Sequence, residues 1–152
     1  MAAPVLIFAI GNESRGDDAI APMLLRSLAE AGMGSQIELI EDYQLQIEHV
    51  TDLAGRERVL FIDADMSCAE PFHLAGIAAE KDNSYTSHAM TPHALLHAYR
   101  QVYGDAGPEA FLLRMRGYAF ELGDPLSDRA ASNLDAAGAY IRGWLADIPT
   151  GG

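Results

Sequence analysis

Four aspartates and three histidines stand where chemistry is easiest to build in this 152-residue chain. Asp17 and Asp18 are adjacent and close the polar run Gly11-Asn12-Glu13-Ser14-Arg15-Gly16. Asp63 and Asp65 flank Ala64 directly after the apolar run Val59-Leu60-Phe61-Ile62. His88, His93 and His97 follow within one stretch. Carboxylates with neutral imidazole form a ligand set for borderline metals. Closely placed carboxylates also suit general acid–base chemistry.

Each candidate has a plainer reading beside the chemical one. Asp17 and Asp18 could simply charge the first turn of a helix. Two acids after a glycine, at the end of an apolar run, fit a cation site as well. Dinucleotide binding is disfavoured, because Gly11 and Gly16 stand alone without a G-x-G-x-x-G pattern. Two carboxylates would also oppose a pyrophosphate at that helix start. Glu41 and Asp42 lie at the wrong spacing to act as the ribose-binding acid of that fingerprint.

Asp63 lies closer to its rigid strand than Asp65 and is the better-fixed candidate. Asp65 has the alternative of an Asx turn. Extended geometry through both would point their side chains to one side. His93 and His97 share a helical face at i, i+4 spacing, which could make a metal pair. Ala94 follows His93, however, so no H-E-x-x-H motif exists. His97 reads as a surface or half-buried histidine. His88 lies in the polar run Ser84-Tyr85-Thr86-Ser87, ahead of a helix start, and is free to turn into a cleft. Cys68 has no cysteine partner and reads as a small buried or loop residue. Ser14, Ser67 and Ser87 sit in no G-x-S-x-G elbow, so serine hydrolysis is unsupported.

The elements that must position these residues alternate along the chain. Apolar runs predict strands at about Val5–Ile10, Ile37–Ile40, Arg58–Asp63, His73–Ala79 and Ala110–Met115. A helix is predicted from Gly16 to Glu30, with Ile20, Met23, Leu24 and Leu28 on its buried face, acids in its first turn and Arg26 towards its end. A weaker helix covers Leu45 to Leu53. A third is capped by Thr91, opened by Pro92 and closed by Gly104, with Leu95, Leu96, Tyr99, Val102 and Tyr103 on its apolar face. The last begins near Ser127 and carries the stripe Leu134, Ala137, Ile141, Trp144 and Leu145. The tail from Pro149 to Gly152 is expected to fray.

The expectation is an α/β fold. Residues 1–152 form a single domain, a three-layer sandwich of about five mostly parallel strands with helices on both faces. The run after Pro71 follows its predecessor with no intervening helix, so an edge or antiparallel strand is expected there. Parallel strands put Asp18 and Asp63 on the carboxyl rim of the sheet, where open α/β sheets bind ligands.

Composition narrows the partners. Net charge is -12 and 49% of residues are hydrophobic. Such an acidic surface repels nucleic acid and anionic lipid. No apolar run reaches the roughly 20 residues needed to span a bilayer. The start Met1-Ala2-Ala3-Pro4 lacks a basic signal-peptide region. A single cysteine excludes an internal disulfide. A soluble, cytoplasmic monomer is expected, with no nucleic-acid or membrane partner.

Four motifs, in order, resemble those of the hydrogenase maturation proteases. Gly11-Asn12-Glu13-Ser14-Arg15-Gly16-Asp17-Asp18 resembles the family's G-N-x-x-x-x-D-[DE] opening. Ile62-Asp63-Ala64 resembles its second acidic motif, and Thr86-Ser87-His88-Ala89-Met90-Thr91-Pro92 its histidine motif. Phe120-Glu121-Leu122-Gly123-Asp124-Pro125-Leu126-Ser127 is similar to a tail signature of members serving soluble or bidirectional NAD-linked hydrogenases. One departure stands out: Ala21 replaces the glycine of the usual D-x-x-G continuation.

The resemblance implies an endopeptidase that trims the C-terminal extension of a [NiFe]-hydrogenase large-subunit precursor. It implies that nickel arrives with the substrate, and that Asp18, Asp63 and His88 are both its ligands and the catalytic residues, with His93 the alternative histidine. Either a carboxylate base or a metal-polarised carbonyl could drive the attack of water. Two competing readings are a metal-sensing chaperone that binds the precursor without cutting, and a metal-dependent hydrolase of small molecules. The protease needs an open groove; the small-molecule hydrolase needs a deep enclosed pocket.

Overall fold

The computed structural model describes residues 2–81 and 90–147. Five strands form one sheet: β1 (Val5–Ile10), β2 (Ile37–Asp42), β3 (Arg58–Asp65), β4 (Phe72–Ile77) and β5 (Glu109–Arg116). Their order is β2-β1-β3-β5-β4. All neighbours are parallel except β4, which lies at the edge antiparallel to β5. The run after Pro71 thus takes both the edge position and the reversed direction expected of it.

Four helices cover the sheet: α1 (Ile20–Ala31), α2 (Val50–Leu53), α3 (Pro92–Tyr103) and α4 (Asp128–Asp147). Strand alternation divides the core into two layers. Ile7, Ala9, Leu60, Ile62, Leu113 and Met115 face α1 and α4. Leu6, Phe8, Val59, Phe61 and Ala110 face α2 and α3. Every residue of β1 is buried, which is why it shows a continuous apolar run rather than an alternating one.

The structure corrects several expected details. The segment after β1 is not one helix. Gly16–Ala19 form a 3-10 turn that holds both acids, and α1 proper begins at Ile20 with no acid in its first turn and no base in its last. Met23 is 37% exposed, while Leu25 joins Ile20, Leu24 and Leu28 inside. Arg26 sits mid-helix and pairs with Glu13 and Glu41. The second helix shrinks to a 3-10 turn at Ile47–His49 and one turn of α2. Leu45 instead bridges Met90 in a single antiparallel contact.

The third helix follows its signals closely. The Thr91 hydroxyl accepts from the Ala94 amide at 3.0 Å, Pro92 opens α3, and Gly104 ends it in the left-handed conformation. Its apolar face stops at Tyr99, because Val102 and Tyr103 are exposed. On α4 the buried stripe is Ala130, Asn133, Ala137, Gly138, Ile141 and Leu145, with Leu134 and Trp144 at its margins. The tail from Pro149 onwards lies outside the described residues. Among the described residues, no helix is long and apolar enough to cross a membrane.

Candidate active site

The connections leaving β1 and β3 diverge. The chain turns from β1 through α1 to β2 on one side, and from β3 out to β4 beyond β5 on the other. That divergence opens a crevice at the carboxyl ends of β1 and β3, the usual ligand position in such sheets. Asp63 sits in register with Ile10, the last residue of β1. Asp18 follows from the 3-10 turn directly after β1.

The two carboxylates meet there and repel one another. Burial pushes the Asp63 carboxyl up, the negative charge of Asp18 pushes it further, and the total reaches about 8 despite a bond from the Ala64 amide. Asp65 adds a weaker repulsion. Burial also raises Asp18, against a 2.7 Å hydrogen bond from the Asn12 amide and the charge of Arg15. Near neutral pH Asp63 therefore keeps its proton beside Asp18. Such a pair can hold a divalent cation, which would displace that proton.

Asp18 is held by close backbone approach. A Cβ on Gly11 would lie 2.1 Å from the Asp18 carbonyl oxygen, so any larger residue at position 11 would displace the turn. The Asn12 side-chain oxygen accepts from the Ser14 amide at 2.9 Å and shapes the same loop.

Asp17, its neighbour, is fully buried and does something different. Its carboxylate accepts from the amides of Tyr118 (2.7 Å), Ala119 (3.0 Å) and Ser127 (2.7 Å), and from the Ser127 hydroxyl (2.8 Å). Burial alone would raise its pKa, but these donors outweigh burial and hold it below the ordinary carboxylate value. The Asp17 amide donates back to the Ala119 carbonyl at 2.7 Å, and the Gly123 amide to the Ser14 carbonyl at 2.7 Å. Gly16 has a φ of +55°, and a Cβ there would lie 2.3 Å from the Ala119 oxygen. The segment following β5, including the Phe120–Ser127 motif, is thus tied onto the first loop.

Asp65 takes the Asx-turn alternative. It accepts from the Ser67 amide (2.6 Å), the Ser67 hydroxyl (2.8 Å) and the Cys68 amide (3.0 Å), and it faces Arg114. Burial opposes its ionisation, but these partners win and keep its pKa low. Cys68 is buried, as expected, and burial raises its thiol pKa.

The histidines separate. His88 lies outside the described residues. His93 and His97, at i, i+4 spacing, line different clefts. His93 faces β4 and β5 beside Arg114, and His97 faces Ile47 and Lys81. His97 also lies 3.3 Å from the Gln101 amide nitrogen. Among the described residues, no three His, Cys, Asp or Glu side chains group closely enough to hold a metal ion. Another cleft, of about 270 Å³, flanks the first loop and is lined by Gly11, Glu13, Pro22, Glu41, Asp42 and Tyr43.

No protein-family model matches the sequence, and no curated protein does. Solved structures do match in shape. HycI, a [NiFe] hydrogenase maturation protease from Thermococcus kodakarensis KOD1, superposes with a TM-score of 0.74 at 17% identity, over 95% of this chain and 94% of its own. The hydrogenase maturating endopeptidase HybD from E. coli gives 0.73 at 18% identity, over 97% and 93%. The maturation protease HybD from Thermococcus kodakarensis gives 0.68 at 21% identity, over 95% and 99%.

The fold is that of the hydrogenase maturation proteases. The likeness extends over nearly the whole length of both partners.

Two features of the rim were not legible beforehand. The role of Asp17 depends on donors more than a hundred residues away. Arg114 stands in register with Asp63, which only the β3–β5 pairing reveals.

Proposed function

We propose that this chain is an endopeptidase that removes the C-terminal extension of a [NiFe]-hydrogenase large-subunit precursor, in the branch serving soluble or bidirectional NAD-linked hydrogenases. The observation that carries the reading is the mutually repelling Asp18–Asp63 pair at the β1/β3 crevice of a maturation-protease fold. The maturation proteases and endopeptidases of the same fold give the reaction class.

In this reading Asp18, Asp63 and His88 receive nickel that the precursor carries. Carboxylate oxygen and imidazole nitrogen suit that ion. His88 is preferred over His93, because the cleft of His93 also holds the Arg114 guanidinium, whose charge opposes a cation. Three protein ligands leave positions for the precursor's own groups. Cleavage adds water across the scissile amide: the oxygen attacks the carbonyl carbon, a carboxylate takes the proton, and the departing nitrogen is protonated as the C–N bond breaks. A pair holding one proton between two carboxylates can perform both transfers.

The test compares metal-free with nickel-loaded precursor, with products weighed by mass spectrometry. Cleavage is expected only of the loaded form. His88→Ala should abolish it, and His97→Ala should leave it nearly intact. Loss in His93→Ala but not in His88→Ala would move the third ligand to His93. Equal cleavage of both precursors would remove the nickel checkpoint, and binding of the loaded precursor without cleavage would make the protein a metal-sensing chaperone.

A further inference from the structure

A second polar site lies next to the rim, on the sheet face that carries α3. Arg114 on β5 stands in register with Asp63 on one side and with His73 of the edge strand on the other. Register partners point to the same face of a sheet. Arg114 and His73, with Ala75, Ile77, Leu112 and His93 from the first turn of α3, line a cleft of about 260 Å³.

The donors in this cleft can be assigned. A guanidinium only donates. The 3.3 Å contact between Arg114 Nη2 and His73 Nδ1 therefore makes Nδ1 the acceptor. In a neutral imidazole the proton must then sit on Nε2, so His73 offers a second N–H. Arg114 Nη1 turns to Asp65 at 3.3 Å, which aims the guanidinium but engages only part of its fork. The arginine side chain stays 35% exposed. No carboxylate lines the cleft among its described residues. The walls are an arginine fork, two imidazoles and an apolar floor. That combination matches a carboxylate and opposes a cation.

We propose that this cleft is a subsite for a carboxylate of the chain being processed. The identity of that chain rests on the endopeptidase reading; the carboxylate chemistry rests on the cleft alone. The carboxylate comes either from an acidic side chain or from a free C-terminus. Its position, one strand beyond Asp63, makes Arg114 a specificity-determining residue that anchors the chain beside the paired aspartates.

Three peptides test this: N-acetyl-Ala-Asp-Ala-amide, N-acetyl-Ala-Ala-Ala with a free carboxylate, and N-acetyl-Ala-Asn-Ala-amide. Binding to the full-length protein is followed by NMR of the His73 and His93 ring signals. At least one carboxylate peptide should shift both rings in a saturable way, and the Asn peptide should not. The peptide that binds identifies the source of the carboxylate. Arg114→Gln should weaken that binding at least tenfold with little change in melting temperature, and Arg114→Lys should restore part of it. Ala75→Phe, which fills the floor, should block binding if Arg114→Gln fails to fold. Unshifted rings with every peptide, or equal binding in wild type and Arg114→Gln, would overturn the proposal. None of the peptides carries nickel, so a failure here is distinct from a failure to cleave the precursor.

Discussion

Asp17 and Asp18 are adjacent in sequence and opposite in character. Asp17 is sealed among four donors, and its pKa is held low. Asp18 has one backbone donor and Arg15 to offset burial, and its pKa is raised. It faces Asp63, whose pKa rises to about 8. One carboxylate is satisfied by the protein and holds the rim together. The other two are left under-satisfied and can respond to an incoming proton or cation. Burial alone does not make a reactive carboxylate; the supply of donors decides.

The largest expected effect tests the satisfied side. Asp17→Ala removes the acceptor for three amides and a hydroxyl in a fully buried place. A loss of about 3 kcal/mol or more is expected, because each buried donor left unpaired keeps its desolvation cost. Urea unfolding measures it. A loss below 1 kcal/mol would show that the loops are held by other contacts.

Next come truncations in the layer beneath the rim. Leu24→Ala should cost about 2–5 kcal/mol, since Leu24 is fully buried between α1 and α4. Trp144→Ala should cost less, because Trp144 is only partly buried, edge-on to Phe111. Thermal melts of the two variants should fall in that order. The reverse order would mean that the Trp144–Phe111 contact outweighs the deeper leucine.

The final test concerns pH and is read as a slope. Folded Asp63 keeps its proton up to about pH 8, whereas an unfolded aspartate loses it near 3.8. Between those values the folded chain binds more protons, so Asp63 lowers stability as pH rises, by at most about 1.4 kcal/mol per unit. Asp17 has the opposite sign: its contribution is complete above its ordinary value of 3.8 and is lost as pH falls through its lowered folded value. Asp63→Asn should flatten the decline between pH 4 and 8 and leave acid unfolding unchanged. An unaltered slope would show that Asp63 ionises normally.

Much of the fold was legible because local and global signals agreed. β1 and the body of β3 are buried on both faces and announce themselves as continuous apolar runs. Thr91, Pro92 and Gly104 delimit α3 by capping chemistry that acts within one turn. The place of Asp63 on the carboxyl rim was legible because the apolar run before it marks the strand that carries it. The errors share a cause. Met23 and Val102 fit a helical period but fall just outside the buried arc, whose centre tertiary packing decides. The second helix was overextended because Leu45 is buried through a bridge to Met90, a contact its own neighbourhood does not encode. Asp17 and Arg114 depend on partners brought together by strand order. His88, the third member of the expected triad, lies outside the described residues.

The tie between Asp17 and the Tyr118–Ser127 segment also sets when the rim can exist. Its partners are separated by 101 to 110 positions, so the chain must have been synthesised through Ser127 before the first loop is secured. Until then Asp17 lacks its donors and the 3-10 turn carrying Asp18 has no clamp. The tie is a contact of high sequence separation, and contacts of that kind slow folding. The crevice that holds the two carboxylates therefore takes its full shape only once the residues through Ser127 have joined the fold.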